Sequence, residues 1–328
     1  MPTPPVRLPA WGLTVAGVCA VAALVAAGLL PAPRWPAIGT GALPRGATIE
    51  QRAGDAERCV RAAAREIHAA KRLAGAFLDT GGPPDEVALI GSEVTPLVTT
   101  LGSLEAKRLA ASPAWARRLT VEFSGAGVGP RSSIAASFSG SFPGLSLAVV
   151  CAAHALDSRV VAVSSVTAST WGATDPGFTW PEIEARLVDA GLIPAASVGV
   201  SVGGDRDRGL DLDADARALA ESIADTSARR LSAERLRPDT AGDAAAQRFA
   251  LLTRRAGARS IAVYVNVGGS TVSLGGDDAV LRLQTGWLSS PPADALGNGL
   301  LALFARRGTP VLHVLNVREL AARWGISR

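Results

Sequence analysis

The chain has 328 residues, 48% hydrophobic and 19% charged, with a mean hydropathy of +0.24; that length and balance exclude long-range disorder and a charged low-complexity fibre. Its 33 basic and 29 acidic side chains leave a formal charge of +4, and aromatics are 5% with one Tyr. The positive charge is interleaved with Asp and Glu, so the cationic stripe and stacking rings of a nucleic-acid binder are missing. The cysteines, Cys19, Cys59 and Cys151, form no even, closely spaced set, and His68, His154 and His313 are scattered. Neither a disulfide framework nor a zinc ribbon is expected, and no metal or cofactor. Arginine supplies nearly all the positive charge, Lys71 and Lys107 being the only lysines.

After a tail of residues 1–10, Trp11 to Leu30 gives twenty residues without charge or proline. At 1.5 Å per residue a helix there spans roughly 30 Å, one hydrocarbon core. A cleaved signal peptide is the competing reading, but the run exceeds the usual core of about 7–15 residues and no A-x-A-like site follows closely. The expectation is a single-pass anchor in the cell membrane. Arg7 faces Arg34 and Arg45 across it, and the short tail favours a soluble domain outside the cytoplasm. Residues 31–50, rich in Pro and Gly, read as a linker.

The soluble part divides into an α/β domain over 51–235 and a second α/β lobe over 236–328 that can be continuous with the first. It opens with an amphipathic helix from Ala56 to Leu78, with Val60, Ala64, Ile67, Leu73 and Phe77 on one face. Strands are expected at Val87–Ile90, Ser133–Phe138, Val160–Ser164, Ser197–Val202, Ile261–Val265 and Val311–Leu315. Between them Ser112-Pro113, the capping box Thr179-x-x-Glu182, Asp213 and Asp239 open helices. Such alternation implies a layered α/β fold, a mainly parallel sheet with crossover helices.

In such sheets ligands sit beyond the carboxyl ends of the strands. Polar, glycine-rich segments fall there in succession: Ser139–Gly144, Thr167–Pro176, Gly203–Gly209, Asn266–Thr271 and Asn316. The first of these turns has three readings. The N–H groups of Gly140, Ser141 and Phe142 can cradle an anion at a helix N-terminus. Ser141 can be a nucleophile, although G-x-S-x-G is not met. The turn can also be purely structural. His154, thirteen residues down a helix and roughly 20 Å off, is a poor base; His313 at a strand end is the candidate. In the next loop Trp171, Asp175, Phe178 and Trp180 either wall a ligand, with Asp175 as its carboxylate, or fold the loop onto the core. Asp205, Asp207 and Asp211 miss the EF-hand spacing, and internal pairing with Arg206 and Arg208 on a solvated loop explains them. Asn266, Gly268 and Gly269, like Gly203 and Gly204, allow close ligand approach or a plain turn. Lys107, behind a Ser103 cap and Glu105, is a compact donor to carboxylate or phosphate, or a surface lysine.

Taken jointly, these motifs resemble a known family. Ile90-Gly91-Ser92-Glu93, Thr95-Pro96 and Thr99 to Arg108 resemble the poly-γ-glutamate system proteins. So do Ser139 to Pro143, Ser169 to Ala173 with Asp175-Pro176 and Phe178-Thr179-Trp180, Ser201 to Gly204, Val265 to Gly269 and His313 to Asn316, in the same order. The likeness covers about Ile90 to Gly325. It implies a membrane-anchored accessory protein that accompanies the machinery making or exporting poly-γ-glutamate, with those membrane proteins and the polymer itself as partners. It carries no reaction and no catalytic residue. The family's short proline-rich tail is not matched after Trp324-Gly325. The expected site binds a carboxylate-bearing ligand through Ser139–Phe142, with Lys107 and the Arg206/Arg208 loop as cationic contacts. Two other readings stand beside it. One is a hydrolase or transferase of γ-glutamyl bonds with Ser141 as nucleophile and His313 as base. The other is a non-catalytic structural subunit of a membrane synthase.

Overall fold

The computed structural model describes residues 46–76, 82–275, 283–288 and 298–327. Trp11–Leu30 and most of the expected linker lie outside them. Among the described residues no helix is long and apolar enough to cross a membrane.

Helix α1 (Ile49–Leu73) begins seven residues before its apolar pattern does. The reason is a capping box inside the Gly/Pro-rich stretch: the Gln51 N–H donates to Thr48 Oγ1 at 3.2 Å and the Thr48 N–H to Gln51 Oε1 at 2.8 Å. Two of the helix's orphan donors are thereby satisfied. Phe77 falls outside the described residues. Val60, Ala64 and Ile67 are buried against α4 (Ala114–Gly125) and α5 (Pro143–Ala155). A disulfide joins Cys59 of α1 to Cys151 of α5, 92 residues apart. It corrects the expectation of no bridge, which rested on spacing along the chain, whereas the fold brings distant helices side by side.

The expected strand Val87–Ile90 is not one. Its first residue ends the helical turn α2 (Pro84–Val87), which has proline at its start and Asp85 and Glu86 in the first turn. Proline and acidic residues suit a helix N-terminus. The remaining apolar residues pack as buried loop. Thereafter come β1 (Val98–Thr100), α3 (Leu104–Ala110), α4, β2 (Ser132–Phe138), α5, β3 (Arg159–Ser165), β4 (Ala168–Ser169), α6 (Trp180–Asp189) and β5 (Ser197–Ser201). The chain continues through α7 (Ala214–Arg230), β6 (Glu234–Arg235), α8 (Ala241–Ala256), β7 (Ser260–Val267), α9 (Thr271–Leu274), β8 (Gly286–Leu288), α10 (Leu300–Arg306), β9 (Val311–Val314) and α11 (Val317–Trp324).

Seven strands form one sheet in the order β6-β5-β3-β2-β7-β9-β8, parallel except for β8 against β9. Both faces are covered, as parallel sheets require. Alternation along β2 sends Ile134, Ala136 and Phe138 towards the α1–α4–α5 layer. Ala135 points the other way, to a core shared with α8 and α10. Because β7 pairs with β2, the sheet runs unbroken across residue 235. The chain winds outward from β2 to β6, then restarts beside β2 with β7. That reversal places a topological switch point between β2 and β7, where the connections leave in opposite directions and open a crevice.

Candidate functional site

A cavity of about 480 Å³ lies at this switch point. Its walls come from the turn after β2 (Ser139, Ser141, Phe142), the end of β3 with β4 (Ser165, Thr167, Ser169), the loop after β5 (Gly203, Gly204) and Gly269 to Thr271 after β7. The fifth wall is β1 and the start of α3, held over the crevice because β1 pairs in parallel with β4. Among the described residues that line it, the polar ones mostly carry hydroxyls and Lys107 is the only cation.

The serine turn builds itself. Ser139 Oγ accepts the Ser141 N–H at 3.1 Å and donates to Ser141 Oγ at 3.0 Å, and the Ser169 N–H donates to Ser141 Oγ at 3.1 Å. Ser141 therefore ties the β2–α5 turn to β4. Pro143 opens α5, a 13-residue helix with no acid in its first turn, so its positive end points at the crevice uncompensated. Gly144 lets α3 come this close: a Cβ there would sit 2.5 Å from the Ala110 carbonyl oxygen.

Lys107 reaches in from α3. Its Nζ donates to the Ser141 carbonyl at 2.5 Å and to Ser169 Oγ at 2.6 Å, 4.1 Å from the Phe142 ring centroid. It is 4% exposed, and none of the ion pairs formed by the described residues includes it. Loss of hydration lowers its pKa to about 7, since burial disfavours the charged form. Thr167 Oγ1 is buried in the same wall without a hydrogen-bond partner. Gly203 makes room for it: φ is +84°, and a Cβ would lie 2.6 Å from that oxygen.

Of the expected ligand residues, Ser139, Ser141, Phe142, Lys107, Gly203, Gly204 and Gly269 meet in this cavity. The others build its surroundings. The Gly140 carbonyl accepts the Ala173 N–H at 2.8 Å, and Gly268 packs on Ser139. Trp171 exchanges two backbone hydrogen bonds with Gly91 and Ser92, and Asp175 Oδ1 accepts the Ser92 N–H at 3.3 Å. Phe178 and Trp180 of the aromatic loop pack into the core, and neither they nor Trp171 and Asp175 line this cavity. Trp180 is buried edge-on to Phe138, with Nε1 donating to Ser164 Oγ at 3.1 Å.

Two expectations are corrected. Asn266 Nδ2 and His313 Nδ1 are 3.0 Å apart, and neither residue lines the cavity. Burial lowers the His313 pKa to about 4. No hydrogen bond joins His313 to Ser141, so the strand-end histidine serves the sheet. In the loop after β5, Asp205 does pair with Arg206 at 3.8 Å, but Asp207 turns inward. Its carboxylate receives Arg248 of α8 at 3.0 and 2.6 Å, and the Ser201 hydroxyl at 2.7 Å. Arg248 also donates to Ser165 Oγ and Ser201 Oγ. Arg206 and Arg208 point away, Arg208 donating to the Asp239 carbonyl, and neither lines the crevice. Sequence reasoning missed Thr167, Ser169 and Arg248 as individual residues. Only the choice of lysine at 107 signalled a special partner.

A scan against protein-family models and searches of curated proteins and of solved structures found no match to this chain. Chemically, the crevice offers one desolvated amine, a positive helix end and several hydroxyls, with the carboxylates of Asp205 and Asp211 on the wall from the loop after β5. The amine, helix end and hydroxyls suit a carboxylate or an amide carbonyl.

Proposed function

We propose that this chain is an accessory protein of poly-γ-glutamate synthesis or export, and that its switch-point crevice takes a carboxylate-bearing γ-glutamyl ligand at Lys107 and the amino end of α5. The observation that carries the reading is Lys107 itself, buried with no carboxylate of its own in a cavity wall that also holds the unpartnered Thr167 hydroxyl. A ligand carboxylate supplies the missing counter-charge, and charge-assisted hydrogen bonds are the stronger kind. Five of the segments that carry the family resemblance contribute to this one crevice: Thr99–Lys107, Ser139–Phe142, Ser169, Gly203–Gly204 and Gly269.

The apolar run Trp11–Leu30 supports a membrane anchor. The Cys59–Cys151 bridge suits an oxidising compartment and hence a domain outside the cytoplasm. Its partners in the membrane would be the synthesis and export proteins that deliver the polymer.

Calorimetric titration of the full chain with short γ-glutamyl oligomers tests the ligand. Saturable binding is expected, and Lys107→Met lowers affinity by about 10–100-fold, the worth of one hydrogen bond to a charged group. No heat at millimolar oligomer, or an unchanged affinity in the variant, overturns the assignment.

A further inference from the structure

The contacts of Lys107 carry more than binding. Its amine lies 2.6 Å from Ser169 Oγ, inside the range in which a base takes a hydroxyl proton. Ser169 lines the cavity from β4, and its backbone N–H is fixed by Ser141 Oγ at 3.1 Å. Lys107 is held in turn by the Ser141 carbonyl at 2.5 Å. Nucleophile, base and the group orienting the base are therefore in mutual contact at the mouth of a positive helix end, the arrangement that activates a serine.

We infer that Ser169 and Lys107 form a nucleophile–base pair for acyl transfer at the crevice, resting on the proposed reading for the choice of a γ-glutamyl amide as substrate. Ser169 Oγ attacks the γ-carbonyl carbon, and as the C–O bond forms its proton passes to Lys107 Nζ. The tetrahedral intermediate collapses with cleavage of the C–N bond, and the departing amine takes that proton from Lys107. An ester remains on Ser169. Water, or a second amine, then attacks the ester, giving up its proton through Lys107 to Ser169 Oγ. Hydrolysis leaves a free γ-carboxylate beside Lys107, so the carboxylate ligand of the binding reading is the product of this step.

A base must be neutral when it acts, and burial supplies that at ordinary pH. Nearby charges do not restore the cation. On α3 itself Glu105 pairs with Arg318 of α11 at 3.3 Å on the exposed side, and Arg108 is a second cation. Glu319 of α11 pairs with Arg323. The one titratable side chain of α5, His154, is in its last turn, and β4 has none. Asp205 and Asp211 line the cavity from the loop after β5, and Asp211 is held by the Asp205 N–H at 3.0 Å.

The test treats the full chain with an alkyl fluorophosphonate and maps the adduct by peptide mass spectrometry. A single adduct on Ser169 is expected, forming faster as pH rises through about 7. Labelling should fall roughly 100-fold or more in Ser169→Ala and in Lys107→Arg, the usual worth of a general base. Ser169→Ala removes one atom, and its melting temperature, read beside the labelling, separates lost chemistry from lost fold. No adduct, an adduct on Ser141 instead, or a rate flat between about pH 6 and 8 overturns the pair. Oligomer binding without any adduct sinks acyl transfer and leaves the ligand reading standing. An adduct without oligomer binding keeps the pair and removes the γ-glutamyl ligand.

Discussion

The chain has two lysines, and both are buried, yet they occupy opposite kinds of site. Lys71, on the last turn of α1, is 2% exposed; its Nζ donates to the Ile90 carbonyl at 2.8 Å and lies 3.8 Å from Asp175 Oδ2. Phe178 closes over it at 5.6 Å. Lys107 has a carbonyl, a hydroxyl and an aromatic ring but no carboxylate, and it lines the cavity. Desolvation acts on both, lowering Lys71 to about 8 and Lys107 to about 7; at Lys71, Asp175 opposes the fall. A buried amine with its counter-charge holds loops together. One without a counter-charge leaves room for a partner from outside.

The contrast is broken most severely from the Lys71 side. Lys71→Met leaves the Asp175 carboxylate buried without its cation, and removing one partner of a buried pair costs about 3–5 kcal/mol. Because the Asp175 side chain is 12% exposed, the lower end is expected. Urea unfolding of Lys71→Met and of Lys71→Met with Asp175→Asn measures it. The double variant should recover much of the loss, and equal losses in both would show that Asp175 is not the reason Lys71 is there.

A smaller effect comes from freeing α1, which carries Lys71 but no cavity residue. Replacing Cys59 and Cys151 by serine opens a loop closed across 92 residues and should lower stability by about 2–4 kcal/mol. Oligomer affinity should stay within about twofold, because Lys107, Ser141 and Ser169 are held by α3, α5 and β4. A matching loss of affinity would mean that the two lysine sites are one mechanical unit.

Much of this was legible along the chain. The Thr179-x-x-Glu182 box, Ser103 and Asp213 cap α6, α3 and α7 as their side chains dictate, and the short runs at 133–138 and 160–164 are strands. Four of the five strand-end segments reach the crevice, whereas Asn316 caps α11 instead. What escaped depends on distance in sequence or on brevity. Thr48, the cap of α1, was hidden at the end of a stretch read as linker. Strands β1, β4, β6 and β8 have two or three residues each, too few to show a period. Ser169 meets its lysine across 62 residues and Asp207 its arginine across 41. No local pattern records such meetings. His313 illustrates the converse: its strand end was located correctly, but a side chain's facing within a central strand decides whether it meets ligand or core.

The smallest expected effect separates the two amines by pH. A lysine whose folded pKa is lowered below its ordinary value of 10.5 binds fewer protons folded than unfolded throughout the interval between the two. Stability therefore rises with pH across that interval. For Lys107 the interval opens near pH 7 and for Lys71 near pH 8, so the unit between them belongs chiefly to Lys107. There, the wild-type chain should gain about 1 kcal/mol that Lys107→Met does not, since one pH unit is worth at most about 1.4 kcal/mol per proton. Carboxylate binding should move oppositely, weakening over the same unit as the cation is lost. Unfolding curves and oligomer titrations at matched pH values read both trends. If stability climbs in the variant as in the wild type, the titrating group is not Lys107. If stability climbs as expected while affinity stays level, the ligand is not held by that charge, and the helix end and hydroxyls alone must hold it.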